Sequence, residues 1–149
     1  MKPKIYLDIC TYNRPFDVQS QMKIRLETEA KLFIQAGIKR GFYSMVWSYM
    51  HDYENNAGPY EDNKKSIAGW KGFAAEYCPS SEDVLKLGHD FMKYGIKPKD
   101  ALHLACAVKS DCEYFITTDK GLLNKTINDI KIVNPINFVI ETEECHEDR

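Results

Sequence analysis

Residues 100 to 119 read Asp100-Ala-Leu-His-Leu-Ala-Cys-Ala107 and, after Val108 to Glu113, Tyr114-Phe-Ile-Thr-Thr-Asp119. Asp100 follows Pro98 and opens a run of alanine and leucine, the signature of a helix that starts at a proline and carries an acid in its first turn. Ala101, Leu104, Ala105 and Val108 then fall on one stripe, and their small size lets a helix lie close against a sheet. Tyr114 to Thr117 is β-rich and ends at Asp119. A helix start and a strand end are the two places where an open α/β sheet presents groups to a ligand.

Working outward, the remaining segments alternate strand with helix. Lys4 to Cys10 is apolar enough for a buried parallel strand, but Asp8 places a charge in it that burial penalises unless something compensates. Thr11 to Asp17 holds turn formers and a proline, giving a loop that carries Asn13, Arg14 and Asp17. A helix is expected over Gln19 to Ala36, with Met22, Leu26, Phe33 and Ala36 among its apolar positions and Gly37 at its stop. Phe42 to Trp47 reads as a second strand, followed by a helix capped by Ser48 and ended by Gly58-Pro59. Trp47, Met50 and Glu54 fall on one face by three- and four-residue steps, so if Met50 faces inward Glu54 does too and Asp52 points elsewhere; Glu54 is the preferred middle acid, with Asp52 as the alternative.

Asn63 to Tyr77 reads as an amphipathic helix using Ile67, Trp70, Phe73 and Ala74. Ser80, with Asp83 three residues on, is expected to cap the next helix, which ends near Gly95. After Asp119 come a short helix or loop over Lys120 to Asn128, a fourth strand at Ile130 to Val133 and a fifth at Phe138 to Ile140. The expected fold is a single α/β domain over residues 1–140, an open and mainly parallel sheet flanked by helices. Residues 141–149 form a charged tail expected to fray.

Composition narrows the function. With 149 residues, 44% of them hydrophobic, the chain fits one domain with an ordinary core. A net charge of -2 excludes nucleic-acid binding by bulk electrostatics, which needs a concentrated basic surface. The cysteines Cys10, Cys78, Cys106, Cys112 and Cys145 are odd in number and lack C-x-x-C spacing, as expected of reduced thiols in the cytoplasm. No hydrophobic run approaches the roughly 18 residues of a membrane span, so a soluble, unexported protein is expected. There is no G-x-S-x-G elbow, no glycine loop after the first strand, and no acidic pair ahead of Asp8 of the kind an acyl-phosphate receiver uses.

In a parallel sheet Asp8 and Asp119 lie at strand ends, and the helix starts that carry Glu54 and Asp100 share that rim. Four converging carboxylates repel one another unless a cation neutralises them. Oxygen-only ligands select hard ions, here Mg²⁺ or Mn²⁺, and the chemistry such ions favour is phosphodiester hydrolysis. Thr117 and Thr118 are candidates to orient a carboxylate or a water, and Asn13 and Arg14 to touch phosphate. Each acid also has a plainer reading: Asp100 as a helix-dipole acid, Asp119 as a cap, Glu54 as a solvated helix acid. The shared rim is what favours the ligand reading. His103 reads more simply as a packed or surface histidine than as a partner of Asp100. Trp47 and Trp70 read as core residues.

Leu7-Asp8, an acid after the second strand, Asp100-Ala-Leu-His-Leu-Ala and Thr117-Thr118-Asp119-Lys120 occur in an order and spacing that resembles the PIN domain. This metal-dependent nuclease family includes the toxins of many bacterial toxin–antitoxin pairs. The resemblance implies that Asp8, Glu54, Asp100 and Asp119 are metal-binding catalytic acids, that the substrate is RNA, and that the products carry 3′-hydroxyl and 5′-phosphate ends. It also implies an antitoxin partner and a homodimer. Asn134-Pro135 looks like a family feature near the last strand. The competing expectation is a non-catalytic PIN-like module that binds protein or RNA.

Overall fold

The structure, a computed structural model, describes residues 2–147, with side chains through residue 143. Its elements are β1 (Lys4–Leu7), α1 (Ile9–Asn13), a 3₁₀ turn (Arg14–Phe16), α2 (Met22–Lys39), β2 (Ser44–Ser48), α3 (Tyr49–Asn56) and α4 (Glu61–Ala68). There follow a second 3₁₀ turn (Gly69–Phe73), β3 (Glu76–Cys78), α5 (Glu82–Met92), α6 (Pro98–Lys109), β4 (Tyr114–Ile116), α7 (Lys120–Leu123), β5 (Lys131–Val133) and α8 (Pro135–Glu147). The strands form one parallel sheet in the order β3-β2-β1-β4-β5. This is the single α/β domain with an open, helix-flanked sheet that the alternating pattern implies.

Side chains alternate across β1 and so supply both cores. Tyr6 joins Val46, Phe115, Leu104 and Phe91 under α5 and α6. Ile5 and Leu7 join Met45, Trp47, Ile34 and Phe138 under α2 and α8. The alanines of α6 serve as expected, since Ala101 and Ala105 are completely buried.

Several sequence expectations are corrected. The first strand ends at Leu7, because the Asp8 side chain accepts from the Ile9 N–H and caps α1, so Ile9 and Cys10 are helical. The expected loop over Thr11 to Asp17 is mostly α1 and the 3₁₀ turn that follows it. Helix α2 starts at Met22 and runs past Gly37 to Lys39, with Gly41 at φ 81 forming its left-handed stop. A Cβ on Gly37 would lie 2.4 Å from the Tyr43 ring, so that glycine serves packing. Met22, Leu26 and Phe33 are exposed, and the buried face is Glu27, Ala30, Lys31, Ile34, Gln35 and Ile38. Glu27 can occupy that face because it is satisfied there, accepting from Arg14 Nε at 2.9 Å and Asn134 Nδ2 at 2.6 Å.

The helix expected to reach Tyr77 ends at the second 3₁₀ turn, and Glu76–Cys78 pair with β2 as an edge strand. Trp47 is buried as expected, whereas Trp70 is half-buried against α2. Ser81, not Ser80, caps α5 by accepting from Val84 N–H. The expected strand at Phe138 to Ile140 is part of α8, started by Pro135 and by Asn134 Oδ1, which accepts from Ile136 N–H. Asn134 thereby caps α8 and ties it to α2 through Glu27, which gives Asn134-Pro135 a structural role. Helix α8 also continues through Glu141 to Glu147, where a frayed tail was expected; residues 148–149 and the Cys145 thiol lie outside the described residues. Cys10, Cys78, Cys106 and Cys112 are free thiols.

Candidate metal centre

The crossovers from β1 to β2 and β3 run one way along the sheet, and β4 and β5 lie on the other side of β1. The carboxyl ends of β1 and β4 therefore flank a topological switch point, where open sheets bind ligands. Asp8 stands there, 3% exposed. Its Oδ1 accepts from Ile9 N–H at 2.8 Å, and its Oδ2 from the Thr117 hydroxyl at 2.8 Å and the Cys10 thiol at 3.4 Å. The same Thr117 oxygen accepts from Asp119 N–H at 3.1 Å, so one buried hydroxyl holds the β1 acid and the backbone of the β4 acid together. Asp119 caps α7, its Oδ1 accepting from Gly121 N–H at 2.8 Å. Burial and the Asp8 charge push the Cys10 thiol up to about 12, so it stays protonated as a donor.

Asp100 arrives from the other side, two residues after Pro98 at the start of α6. Burial, then the charges of Asp8 and Asp119, push its carboxyl up from an ordinary 3.8 to about 6; Glu54 adds to the rise and His103 opposes it. Asp100 thus feels all three other acids. Glu54 Oε1 lies 2.8 Å from His103 Nε2, whereas Asp52 faces away and accepts from Trp47 Nε1 at 2.9 Å, Tyr77 OH at 3.0 Å and Lys71 at 3.2 Å.

His103 is completely buried and belongs to a chain of hydrogen bonds whose direction can be worked out. Ser48 Oγ accepts from the Met50 and His51 N–H groups, so its own hydrogen goes to Tyr6 OH at 2.7 Å. Tyr6, whose phenol burial drives well above its ordinary range, then donates to His103 Nδ1. His103 is left with its hydrogen on Nε2, donated to Glu54. His51, held neutral by burial and by His103, accepts from Ser48 N–H and donates to Leu7 O at 2.6 Å, next to Asp8. Sequence reading gave His103 a packing role and gave Tyr6 and Ser48 none at the site. The one signal available was the position of His103 one turn beyond Asp100 on α6.

Other candidates are placed as follows. Asn13 is exposed and lines a cleft with Glu54. Arg14 is turned away into ion pairs with buried Glu27 at 2.9 Å and with Asp17 at 2.6 Å. Thr117 and Thr118 are buried beneath the acids, and Thr118 N–H donates to Cys10 Sγ at 3.4 Å.

The donor set suits a hard divalent cation chemically. Among the described residues none of the four acids is paired with lysine or arginine, and Glu54 Oε2, Asp119 Oδ2 and both Asp100 oxygens accept no hydrogen bond. Among the described residues, no three carboxylates, imidazoles or thiols close into a ready-made cage around one point. The fit lies in donor chemistry and uncompensated charge.

No family model matches the sequence, and no curated protein does. Among solved structures the chain is similar to VapBC2 from Rickettsia felis bound to a DNA fragment from their promoter, with a TM-score of 0.56 and 12% identity over 88% of this chain and 98% of that one. The likeness agrees with the PIN-like architecture expected from the sequence, and at 12% identity it bears on the fold alone.

Proposed function

We propose that this chain is a metal-dependent endoribonuclease of the PIN type, hydrolysing RNA phosphodiester bonds with Mg²⁺ or Mn²⁺ held by Asp8, Glu54, Asp100 and Asp119. The observation that carries the reading is geometric: Thr117 ties Asp8 to the backbone of Asp119 at the switch point, Asp100 faces both of their charges, and among the described residues no lysine or arginine pairs with any of the four acids. Such a cation supplies Lewis acidity toward water and the phosphoryl oxygens. The chain's own residues hold it. Asp8, fixed at both oxygens by Ile9, Cys10 and Thr117, is the rigid member. Thr117 is a positioning residue for Asp8 and Asp119, and His103 is one for Glu54.

The test is cleavage of single-stranded RNA by the purified chain. Cleavage that requires Mg²⁺ or Mn²⁺ and disappears in Asp8→Asn is the expected result; cleavage in EDTA would sink the mechanism. A second reading, a PIN-like module that binds protein or RNA without turnover, draws support from the open arrangement of the acids. Calorimetry separates the two, since the nuclease binds Mn²⁺ and loses that binding in Asp8→Asn.

The likeness to VapBC2 supports a narrower reading, in which this chain is the toxin of a toxin–antitoxin pair, covered by an antitoxin and able to form a homodimer. A small DNA-binding protein encoded beside the gene, whose co-expression abolishes RNA cleavage, is the expected finding. The reading places the protein in the cytoplasm, where its free thiols stay reduced. Among the described residues no helix is long and apolar enough to cross a membrane.

A further inference from the structure

We infer that the cleft beside Glu54 is a nucleobase pocket, which takes the unstacked base of a nucleotide flanking the scissile phosphate of single-stranded RNA. The inference rests on the nuclease reading for the identity of the polymer and on separate observations for the pocket. The cleft holds about 210 Å³. That is below the about 300–1,000 Å³ of ordinary small-molecule sites, so it suits one ring system and not a whole nucleotide.

Its lining has the three features that a base requires. Ile9 and Ile67 give it buried apolar walls. Phe16 and Tyr60 line it while remaining 42% and 67% exposed, leaving aromatic faces open for stacking. Asn13 and Asn63 bring side-chain amides that no described residue engages, each able to donate and accept at once along a base edge.

The charges decide against a phosphate in the same cleft. Lys64 is paired with Glu61 at 2.8 Å, Arg14 is spent on Glu27 and Asp17, and Glu54 and Asp17 supply negative walls. A neutral planar group is therefore favoured over an anion, and Asn13 becomes a base contact instead of the phosphate contact its loop position suggested. Because Glu54 belongs both to the cleft and to the acid cluster, whatever fills the cleft lies next to the reacting group. A second cavity, of about 340 Å³, is lined by Asp100, Asp119, Lys97 and Lys125; among the described residues neither lysine is paired with an acid, which suits the continuing backbone. A duplex cannot enter, since its bases are stacked and paired.

The experiment is fluorescence anisotropy of the full chain with a short labelled RNA, in Ca²⁺ to suppress turnover, alongside cleavage assays in Mn²⁺. Tyr60→Ala should weaken binding roughly 5- to 150-fold, the range for one stacked base, while Tyr60→Phe binds as wild type does. An RNA with one abasic position should lose affinity for wild type by a similar factor and lose nothing further with Tyr60→Ala. A duplex of the same sequence should bind no better to wild type than to Tyr60→Ala. Both aromatic residues are exposed, so these variants fold. Tyr60→Ala and Phe16→Ala binding like wild type, or abasic positions without effect anywhere along the RNA, would overturn the pocket even if Mn²⁺-dependent cleavage is seen. Tyr60-dependent binding with no cleavage under any metal would support the pocket and sink the nuclease reading instead.

Discussion

Replacing Asp100 with asparagine should make the metal-free protein more stable. Asp100 is half-buried, and its carboxyl is raised from 3.8 to about 6, first by burial and then by Asp8 and Asp119. The folded state therefore holds that proton more tightly than the unfolded chain does. Stability contributed by the protonated form is present below about pH 4, falls as pH climbs towards 6, and is gone above it. At full strength a rise of this size is worth about 3 kcal/mol. Solvent screening of a half-exposed group reduces that to about 1–2 kcal/mol. The favourable helix-dipole interaction of an acid in the first turn of α6 is only about 0.3–1 kcal/mol and does not reverse the sign. For a chain of this size the gain is about 3–6 °C in Tm. Thermal melts of wild type and Asp100→Asn in EDTA should differ by that amount at pH 7.5 and converge near pH 4. Adding Mn²⁺ should then raise the wild type more than the variant, because only the intact acid set binds the ion well. An asparagine variant that melts below wild type at pH 7.5 in EDTA would refute the claim that burial and the neighbouring acids disfavour the ionised Asp100.

Thr117→Val removes the hydroxyl that joins Asp8 to Asp119 N–H, and should cost about 1–3 kcal/mol in urea unfolding and most of the RNA cleavage, with Thr117→Ser restoring both. His103→Phe keeps the ring volume but unties Glu54 from Tyr6; kcat should fall with little change in RNA affinity, and an unchanged kcat would remove His103 from the positioning scheme. Glu27→Ala leaves the Arg14 guanidinium and the Asn134 amide without their buried acceptor and should destabilise by about 3 kcal/mol, read as a lowered urea midpoint at constant slope.

The parts of this fold that could be read from the sequence are those where local chemistry and tertiary demand coincide. Pro98 and Asp100 mark the start of α6 by capping rules alone, and the alanine stripe marks its buried face. Asp8 was legible as an anomaly, since a carboxylate among Ile5, Tyr6, Leu7 and Ile9 demands compensation. Strand β3 was not legible. Glu76, Tyr77 and Cys78 bury only the cysteine, and the strand exists because β2 offers it a partner at Ser48. Helix α8 was misread because Phe138-Val-Ile140 has strand-like residues, although Asn134-Pro135 is a sound helix start. The buried stripe of α2 was misread because Glu27, Lys31 and Gln35 are polar. Only Arg14 and Asn134, distant in sequence, make Glu27 an inward residue. At the site, the acids were visible one by one, while the Ser48–Tyr6–His103 chain joins β2, β1 and α6 and leaves no local pattern.

That chain bears on why Glu54 is held by a histidine. Elsewhere in the molecule, carboxylates held in place are paired with cations: Asp52 with Lys71, Glu27 and Asp17 with Arg14, Glu76 with Lys4 and Glu141 with Lys131. The acids at the switch point are held by backbone N–H groups, the Thr117 hydroxyl, the Cys10 thiol and the Nε2–H of His103, with no lysine or arginine among these donors. A lysine in place of His103 would orient Glu54 equally well, but it would cancel one negative charge and relieve the field that raises Asp100. An imidazole orients the carboxylate through its Nε2–H and, unlike lysine, is not obliged to carry a charge. Tyr6 contributes at one remove: by occupying Nδ1 as a donor it sets the tautomer in which Nε2 carries the hydrogen. Tyr6→Phe should therefore disturb Glu54 without touching it.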